Sequence, residues 1–310
     1  MEREHAQVSA SIGGKSVLLS EPYEAEESGF IGREAELSTL AAAWIGGREA
    51  MPLAPLLLGE PGVGKNRLVY ELARRTRRPL FIFQGHEDVT AEDLACAVRF
   101  SDRDASKMDY VASALVTAMH LGGICFIDEI GKIRPRALAL LVSVLDERRY
   151  IDSVLLGARV RAHPSFRFVA ATNTADLEGN ALPEFIRSRT RPVIKVGYPQ
   201  REEIERIVES RLPRLAEQAR PLLDRFWGLW EQLPKHGEDL QSPTPRDAIY
   251  IFSLAASLAD YDALGGGKAA REATADHPFP IDQSGAASSV GERHLEQAFR
   301  ELYWDQLDRA

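Results

Sequence analysis

The chain has 310 residues, of which 45% are hydrophobic and 27% are charged, and its formal net charge at pH 7 is −8. This composition is typical of a folded globular protein of one or two domains, and it excludes a fibrous or fully disordered chain. The sequence contains no run of 18 apolar residues, so no membrane-spanning helix is predicted. The net negative charge argues against an overall positive field that would attract nucleic acid.

The first part of the chain is predicted to alternate strands with helices after a weakly ordered N-terminal extension at residues 1–27. Fully apolar runs such as Ile124 to Ile127 are typical of strands buried inside a sheet, and apolar residues at helical spacing predict helices between them. The predicted strands lie at residues 53–58, 80–83, 123–127, 166–171 and 193–196, and the predicted helices at 34–44, 66–78, 109–120 and 135–145. We therefore expect residues 28–198 to form a parallel sheet covered by helices.

The remaining residues, 199–310, are predicted to be helical. Helical periodicity is found at residues 201–212, 215–233, 245–259 and 292–307. A stretch rich in Gly, Ala and Ser at 263–289 is expected to be a mobile insertion. The predicted fold class is α/β, with a core built on a parallel sheet and a smaller, all-helical second domain.

The strongest motif is the glycine-rich segment from Gly59 to Asn66, which lies between a predicted strand and a predicted helix. This is the context of a phosphate-binding P-loop, in which backbone N–H groups and the helix N-terminus surround phosphate oxygens. Lys65 is expected to reach the β- and γ-phosphates. Asn66 stands where a Ser or Thr hydroxyl normally helps to hold Mg²⁺; its amide oxygen can ligate a hard cation with a different geometry. The predicted nucleotide-binding residues in this segment are Glu60, Pro61, Gly62, Val63, Gly64, Lys65 and Asn66.

A second motif consists of two acidic residues, Asp128 and Glu129, at the end of an apolar strand. Residues that follow parallel strands lie at the edge where open α/β sheets bind ligands. Asp128 is predicted to hold Mg²⁺ together with Asn66, and Glu129 to polarise the attacking water as a general base. Solvated acids at a strand end are common, but a P-loop earlier in the chain favours the functional interpretation.

With these motifs the chain resembles the AAA+ ATPases. Asn173 follows the strand at 166–171 and is similar to the sensor-1 residue that orients water and the γ-phosphate in that family. Ile31 and Gly32 resemble the segment that packs near the adenine. The resemblance implies ATP and Mg²⁺ as cofactors, a P-loop AAA+ core, and a helical lid domain after it.

The resemblance also assigns roles to arginines. Arg189 stands at the position of the arginine finger, which acts on the nucleotide of a neighbouring subunit, and Arg187 and Arg191 remain alternatives. Arg246, at the start of a predicted helix, is similar to the sensor-2 arginine that touches the γ-phosphate from the lid. By this resemblance Glu129, Asn173, Arg189 and Arg246 are the predicted catalytic residues.

Two further segments resemble one clade of the family, which contains MoxR-type, dynein-like and magnesium-chelatase-like ATPases. A β-hairpin is predicted within residues 151–164, before the sensor strand, and an acidic segment at 85–94 leads into an insertion at 96–108. Ala95 departs from the glycine that often precedes this insertion. The resemblance implies a homo-oligomer, a hexameric ring, that remodels or activates a protein substrate or adaptor, frequently one with a von Willebrand factor A domain. The insertion would face the centre of the ring or its substrate.

Other functions remain open at this point. A nucleotide-binding scaffold or switch with weak or no hydrolysis is the first alternative, because Asn66 departs from the P-loop pattern. A GTP-dependent AAA+ motor is the second, because residues 172–176 resemble that group. Direct action on nucleic acid ranks last, since the basic run from Arg74 to Arg78 is typical of a solvated helix end. Two cysteines without disulfide or metal spacing, and a polar N-terminus without a secretory signal, favour a reducing, cytoplasmic location.

Overall fold

The structure is a computed structural model that describes residues 8–24, 29–45, 51–101, 108–178, 182–213, 215, 219–233, 242–265 and 288–307. Contacts divide these residues into two compact units. The first comprises the described residues of Met1–Glu27 and Arg33–Gly197, and the second those of Ser28–Gly32 and Tyr198–Ala310. In this part of the chain no helix is long and apolar enough to cross a membrane.

The first unit contains both strands and helices. In chain order its strands are β1 (Ser9–Ile12), β2 (Lys15–Leu18), β3 (Leu56–Leu58), β4 (Leu80–Gln84), β5 (Cys96–Phe100), β6 (Met108–Ala112), β7 (Ile124–Asp128), β8 (Tyr150–Ser153), β9 (Ala158–Arg161), β10 (Arg167–Thr172) and β11 (Val193–Lys195). Its helices are α1 (Glu34–Ile45), α2 (Lys65–Thr76), α3 (Ala91–Ala95), α4 (Ala114–Leu121), α5 (Pro135–Leu138), α6 (Val142–Leu145), α7 (Thr174–Glu178) and α8 (Glu184–Arg187). The helix predicted at 135–145 is thus divided into α5, α6 and the 3-10 turn Ala139–Leu141 between them.

Five strands form the central sheet in the order β11-β3-β10-β7-β4, and all neighbouring pairs are parallel. Residues Ile124 to Ile127 of β7 are fully buried, as the apolar run predicts, and helices α2 and α4 contact the sheet. In register, Leu58 pairs with Thr172 and Gln84 with Asp128. The residues that follow β3, β7 and β10 therefore meet at one edge, and the predicted helix-covered parallel sheet is confirmed.

A second sheet of four strands, β1-β2-β6-β5, lies outside the sequence prediction. We expected residues 1–27 to be weakly ordered, but β1 and β2 form an antiparallel hairpin whose strands are joined by Gly13 and Gly14. Both glycines have positive φ, at 59° and 78°, which is the conformation of a two-residue hairpin turn. Val17 is fully buried in the core of the first unit, which explains why this segment is ordered.

The helix predicted at 109–120 is wrong in its first half. Met108–Ala112 is strand β6, which pairs antiparallel with β5 and parallel with β2. The helix begins only at Ala114, because the Ser113 hydroxyl accepts a hydrogen bond from the Val116 N–H and caps the first turn. In sequence the residues from Asp109 to Ala112 read as the first turn of the following helix, but pairing with β2 and β5 overrides that local pattern.

The hairpin predicted before the sensor strand is confirmed as β8 and β9, which pair antiparallel. Its loop exposes Val154, and the β5–β6 hairpin likewise exposes Phe100 and Met108 at its outer end. Lys15 in the N-terminal hairpin donates a 3.0 Å hydrogen bond from Nζ to the Leu155 carbonyl. The N-terminal hairpin therefore contacts the predicted hairpin β8–β9 and, through the pairing of β2 with β6, the β5–β6 hairpin at the predicted insertion.

The second unit is helical. Its helices are α9 (Arg201–Arg211), α10 (Ala219–Trp230), α11 (Pro245–Ala263) and α12 (Glu292–Leu307), and its described residues contain no strand. Phe226, Phe252 and Phe299 are fully buried at the centre of its core. The start of α11 is fixed by a capping box in which Thr244 and Asp247 exchange hydrogen bonds. The predicted all-helical character is confirmed, whereas residues 266–287, most of the predicted insertion, lie outside the described residues.

Candidate nucleotide-binding site

The P-loop, Gly59–Asn66, connects β3 to α2. Gly62 and Gly64 have φ values of 87° and 102°, which side-chain-bearing residues rarely adopt. A Cβ at Gly59 would lie 2.2 Å from the Val196 carbonyl oxygen, so only glycine allows the chain after β11 to pass this closely. The loop therefore has the backbone curvature of a phosphate cradle, and it leads directly into the N-terminus of α2.

Lys65, the first residue of α2, lies against the loop and is only 8% exposed. Its ammonium donates hydrogen bonds to the carbonyl oxygens of Gly59 at 2.7 Å and Glu60 at 3.0 Å. It also donates to Oδ1 of Asn173 at 2.9 Å. The structure thus brings together two residues that the sequence predicts as parts of one site.

Asn66 and Asp128 are also neighbours. The Asn66 amide Nδ2 donates a 2.6 Å hydrogen bond to Oδ2 of Asp128, and the other carboxylate oxygen accepts a 3.0 Å bond from the Glu129 N–H. An amide oxygen and a carboxylate are ligands suited to Mg²⁺. The donor set at this point therefore fits the predicted cation, with Asn66 and Asp128 as the residues that would hold it.

Two tyrosines, which the sequence analysis did not single out, lie beside Asn66. Tyr70 follows it by one helical turn, so the two side chains lie on the same face of α2. The rings of Tyr23 and Tyr70 are 4.8 Å apart at their centroids. Burial raises the pKa of Tyr70, and Tyr23 and the negative charge of Asp128 raise it further. The Tyr70 hydroxyl therefore stays protonated at neutral pH.

Glu129 has a φ of 53°, a strained conformation for a residue with a side chain. Its Oε2 accepts hydrogen bonds from Gln84 Nε2 at 3.0 Å and from Lys132 Nζ at 2.7 Å. The bond to Glu129 raises the pKa of Lys132. Gln84 and Lys132 are further residues that motif reading missed; the pairing of β4 with β7 places Gln84 opposite Asp128.

The three candidate finger arginines lie on or just after α8. Arg189 donates from Nη1 to the Phe185 carbonyl at 2.8 Å, and its buried Nε has no hydrogen-bond partner among the described residues. Arg187 lies 3.7 Å from Glu184, and Arg191 is exposed. Within the described residues, no hydrogen bond or ion pair joins these arginines to the P-loop or to the two acidic residues. The structure does not bring them to the site within one chain.

Arg246, Ile31 and Gly32 belong to the second unit, where Arg246 is the second residue of α11. The structure therefore groups them apart from the P-loop residues. The next residue, Arg33, belongs to the first unit and donates from Nη2 to the carbonyl oxygens of Gly197 and, at 3.4 Å, Val63. Arg33 thus supports the P-loop backbone from the segment that the sequence analysis placed near the adenine.

The chain is similar to one domain family and to several known proteins. Residues 55–190 match the AAA domain family of the dynein-related subfamily. The chain is 27% identical over 196 residues to the uncharacterized protein SSP1341 of Staphylococcus saprophyticus, covering 63% of this chain and 70% of that protein. It is 30% identical over 183 residues to the denitrification regulatory protein NirQ of Stutzerimonas stutzeri, covering 58% of this chain and 62% of NirQ.

Among solved structures, the AAA domain of FIGL-1 in complex with ADP aligns with a TM-score of 0.52 and 18% identity, covering 87% of this chain and 82% of that chain. This likeness establishes a shared fold. Together with the sequence matches, it confirms the resemblance that the motifs predict.

Proposed function

We propose, from the match of residues 55–190 to the dynein-related subfamily of AAA domains, that the chain is a MoxR-like AAA+ protein that binds and hydrolyses ATP. The observation that supports hydrolysis most directly is the convergence of Lys65, Asn173, Asp128 and Glu129 at one edge of the sheet. Residues 28–198 are the proposed nucleotide-binding core and residues 199–310 the proposed lid.

In this proposal the P-loop backbone from Glu60 to Gly64 binds the phosphates, and Lys65 neutralises the β- and γ-phosphate oxygens. Lys65 is already desolvated and held by carbonyl oxygens and by Asn173, so its charge is oriented before a nucleotide arrives. Asn66 and Asp128 would hold Mg²⁺. When bound, Mg²⁺ supplies positive charge that offsets the charge of the phosphates.

Glu129 is the proposed general base, which takes the proton from the attacking water at its Oε atoms. Its ion pair with Lys132 and hydrogen bond with Gln84 fix the carboxylate in place. Asn173 orients the water and the γ-phosphate. The residue that holds Asn173 in this structure is Lys65, so the water-positioning and phosphate-binding groups are rigidly linked.

We further propose that subunits form a ring, a hexamer by family resemblance, and that Arg189 or its neighbours act on the nucleotide of the next subunit. Arg246 would act from the lid, and Ile31 and Gly32 near the adenine. The exposed apolar residues Phe100, Met108 and Val154 at two hairpin ends are suited to contact a protein that the ring remodels or activates. That partner would be an adaptor with a von Willebrand factor A domain or its client, in the cytoplasm.

A nucleotide-gated scaffold is the second candidate. It is favoured by one observation: the Asn66 amide N–H group, rather than its oxygen, points at Asp128. In this orientation a hydrogen-bond donor, and not an oxygen ligand, faces the position expected for the cation. Turnover would then be slow, while the P-loop could still bind phosphates.

The experiment that separates the two candidates is steady-state hydrolysis of saturating Mg²⁺-ATP as a function of protein concentration, with the Lys65→Ala variant as the control for contaminating activity. Specific activity that rises steeply with concentration supports shared sites in a ring motor. ATP binding without turnover at any concentration contradicts the motor and supports the scaffold. Absence of ATP binding contradicts both.

A further inference from the structure

Three arginines meet at the turn that leads into β10. Arg149 and Arg167 both donate to the carbonyl oxygen of Phe166, from Nη2 at 3.1 Å and from Nη1 at 2.9 Å, respectively. Arg78 donates from Nη1 to the carbonyl oxygen of Ser165, the preceding residue. The three guanidinium groups, which we call the arginine cluster, are therefore gathered around two consecutive peptide carbonyls.

The arginine cluster carries positive charge that the described residues do not neutralise. Arg148, the neighbour of Arg149 in sequence, forms an ion pair with Asp146 at 2.6 Å. By contrast, no carboxylate in the described part of the chain forms an ion pair with a member of the cluster. Burial lowers the pKa of Arg167, and the positive charges of Arg78 and Arg149 lower it further. The three cations therefore repel one another, and a bound anion would relieve that repulsion.

The cluster also retains unused hydrogen-bond donors. A guanidinium group carries five N–H donors. Among the described residues, Arg149 donates through Nη2 alone and Arg78 through Nη1 alone. The remaining nitrogens of these two side chains reach solvent. Because the backbone carbonyls already fix the guanidinium groups, the open donors are preorganised for an acceptor from outside the chain.

Arg149 has a backbone conformation that favours glycine. Its φ is 48°, in the left-handed region that residues with a side chain seldom adopt. Its guanidinium group lies over the ring of Phe166, 5.5 Å from the centroid. Strain of this kind is typical of ligand-binding positions. It favours a binding role for the side chain over a purely local one.

The cluster lies at the opposite edge of the central sheet from the nucleotide site. Strand β10 begins at Arg167 and ends at Thr172, and the next residue, Asn173, contacts Lys65. A strand advances about 3.3 Å per residue, so roughly 17 Å separate the two ends of β10. The cluster can therefore be altered without a direct change at the P-loop.

We propose that the arginine cluster binds an acidic segment of a partner protein, whose carboxylates accept the open N–H groups. Guanidinium groups bind carboxylates through paired, charge-assisted hydrogen bonds. Three cations in one place suit a short run of acidic side chains, whereas a nucleic acid backbone needs a longer basic surface. The net charge of −8 also opposes a polyanion of that length. The inference does not depend on ATP hydrolysis.

The test measures binding of a fluorescein-labelled octaglutamate peptide by anisotropy at low ionic strength, where charge pairs are least screened. An octaserine peptide with the same label is the control for the dye. We expect saturable binding of octaglutamate alone. The double substitution Arg78→Gln and Arg149→Gln should weaken it at least about 10-fold, the scale of one hydrogen bond to a charged group. Glutamine keeps an N–H donor for the backbone carbonyls.

The matched control variant is Arg136→Gln, at an exposed arginine in α5, and it should bind octaglutamate like the unaltered protein. Equal affinities in the double variant and in this control would overturn the proposal, as would no binding by the unaltered protein. A labelled oligothymidylate of the same length tests the other class of polyanion. If it binds the cluster more tightly than octaglutamate does, the assignment to an acidic protein segment is wrong.

A second measurement uses the unaltered protein, so it does not depend on how the variants fold. Phenylglyoxal modifies accessible guanidinium groups, and mass spectrometry locates the modified residues. Octaglutamate should slow the modification of Arg78, Arg149 and Arg167 and leave that of Arg136 unchanged. Identical rates with and without the peptide at all four residues would refute binding at the cluster.

Discussion

The Asn173 side chain accepts a 2.9 Å hydrogen bond from the Lys65 ammonium, and this bond joins the residue after β10 to the first residue of α2. These two residues are far apart in sequence but follow strands that are neighbours in the sheet. The bond means that a change at either residue will alter the environment of the other, and it makes their substitution the most direct probe of the site.

Replacement of Lys65 by alanine is expected to abolish nucleotide binding. The substitution removes the ammonium group that lies against the loop and leaves the carbonyl oxygens of Gly59 and Glu60 without this donor. Affinity measured by calorimetry should fall at least about 100-fold, the scale of losing a charged hydrogen-bond donor in a desolvated site. Lys195→Ala, at an exposed lysine of β11, is the control and should bind normally. Unchanged affinity in Lys65→Ala would refute the P-loop assignment.

Glu129→Gln should retain ATP binding and lose hydrolysis. Glutamine preserves the size of the side chain and can still accept hydrogen bonds from Gln84 and Lys132, but it cannot accept the proton from water. We expect turnover to fall about 10²- to 10⁴-fold, the usual contribution of a general base, with ATP remaining bound in rapid filtration assays. Glu87→Gln, in an exposed loop nearby, should behave like the unaltered protein. Normal turnover in Glu129→Gln would exclude Glu129 as the base.

Alanine substitutions of Arg187, Arg189 and Arg191 will identify the finger. The expected result is that Arg189→Ala binds ATP normally and loses turnover, because its guanidinium stabilises charge only in the neighbouring site. Mixing Arg189→Ala with Lys65→Ala subunits should restore part of the activity, since each supplies what the other lacks. Restoration with Arg187→Ala or Arg191→Ala in place of Arg189→Ala would transfer the role to that residue, and failure of every mixture would contradict action between subunits.

The contact of the N-terminal hairpin with β9 can be tested at adjacent glycines. Both Gly13 and Gly14 have positive φ, so alanine at either position strains the backbone by about 1 kcal/mol. A Cβ at Gly13 would in addition lie 2.3 Å from Cβ of Ala158, whereas a Cβ at Gly14 meets nothing within 4 Å. Urea unfolding should therefore show Gly13→Ala to be less stable than Gly14→Ala by about 1–3 kcal/mol. Equal stabilities would show that the two hairpins do not pack together in solution.

The buried carboxylate of Glu71 predicts an acid-sensitive contribution to stability. Arg74 and Arg75 donate hydrogen bonds to it and hold its pKa below the usual glutamate range. Because the folded-state pKa is lower than the unfolded one, the stabilisation is present above the ordinary pKa of about 4.3 and is lost as the pH falls through the folded value. Glu71→Gln should lower the free energy of unfolding by roughly 1 kcal/mol at pH 7, and the difference should disappear in strongly acidic solution. A difference that is independent of pH would contradict this account.

An element of this fold can be predicted from the sequence when the residues that determine it lie close together in the chain. The central strands follow from apolar runs such as Ile124 to Ile127, and the P-loop from glycines whose spacing is itself the structural requirement. Strand β6 reads as helix in the sequence because its strand character depends on pairing with β2, at Val17 and Leu18. No sequence pattern indicates that these two distant segments pair. The same holds for Tyr23 and Tyr70, whose contact depends on where the N-terminal segment is anchored.

For the candidate site, motif reading identified residues that the structure groups together, such as Lys65, Asn66 and Asp128. It did not find Gln84, Lys132 or Arg33, because their relevance arises from strand pairing and backbone conformation rather than from a recognisable residue pattern. The roles of Arg189 and Arg246 remain predictions, since one is expected to act between subunits and the other belongs to the second unit.

The pairing of β2 with β6 has a practical consequence for any shortened form of the protein. A version that begins at residue 29 retains every predicted motif of the nucleotide site, yet it leaves one side of β6 without its hydrogen-bonding neighbour. An unpaired strand of this kind is a template for pairing with other chains. Such a version should form soluble aggregates or precipitate, and an added peptide with the sequence of residues 8–24 should suppress that association.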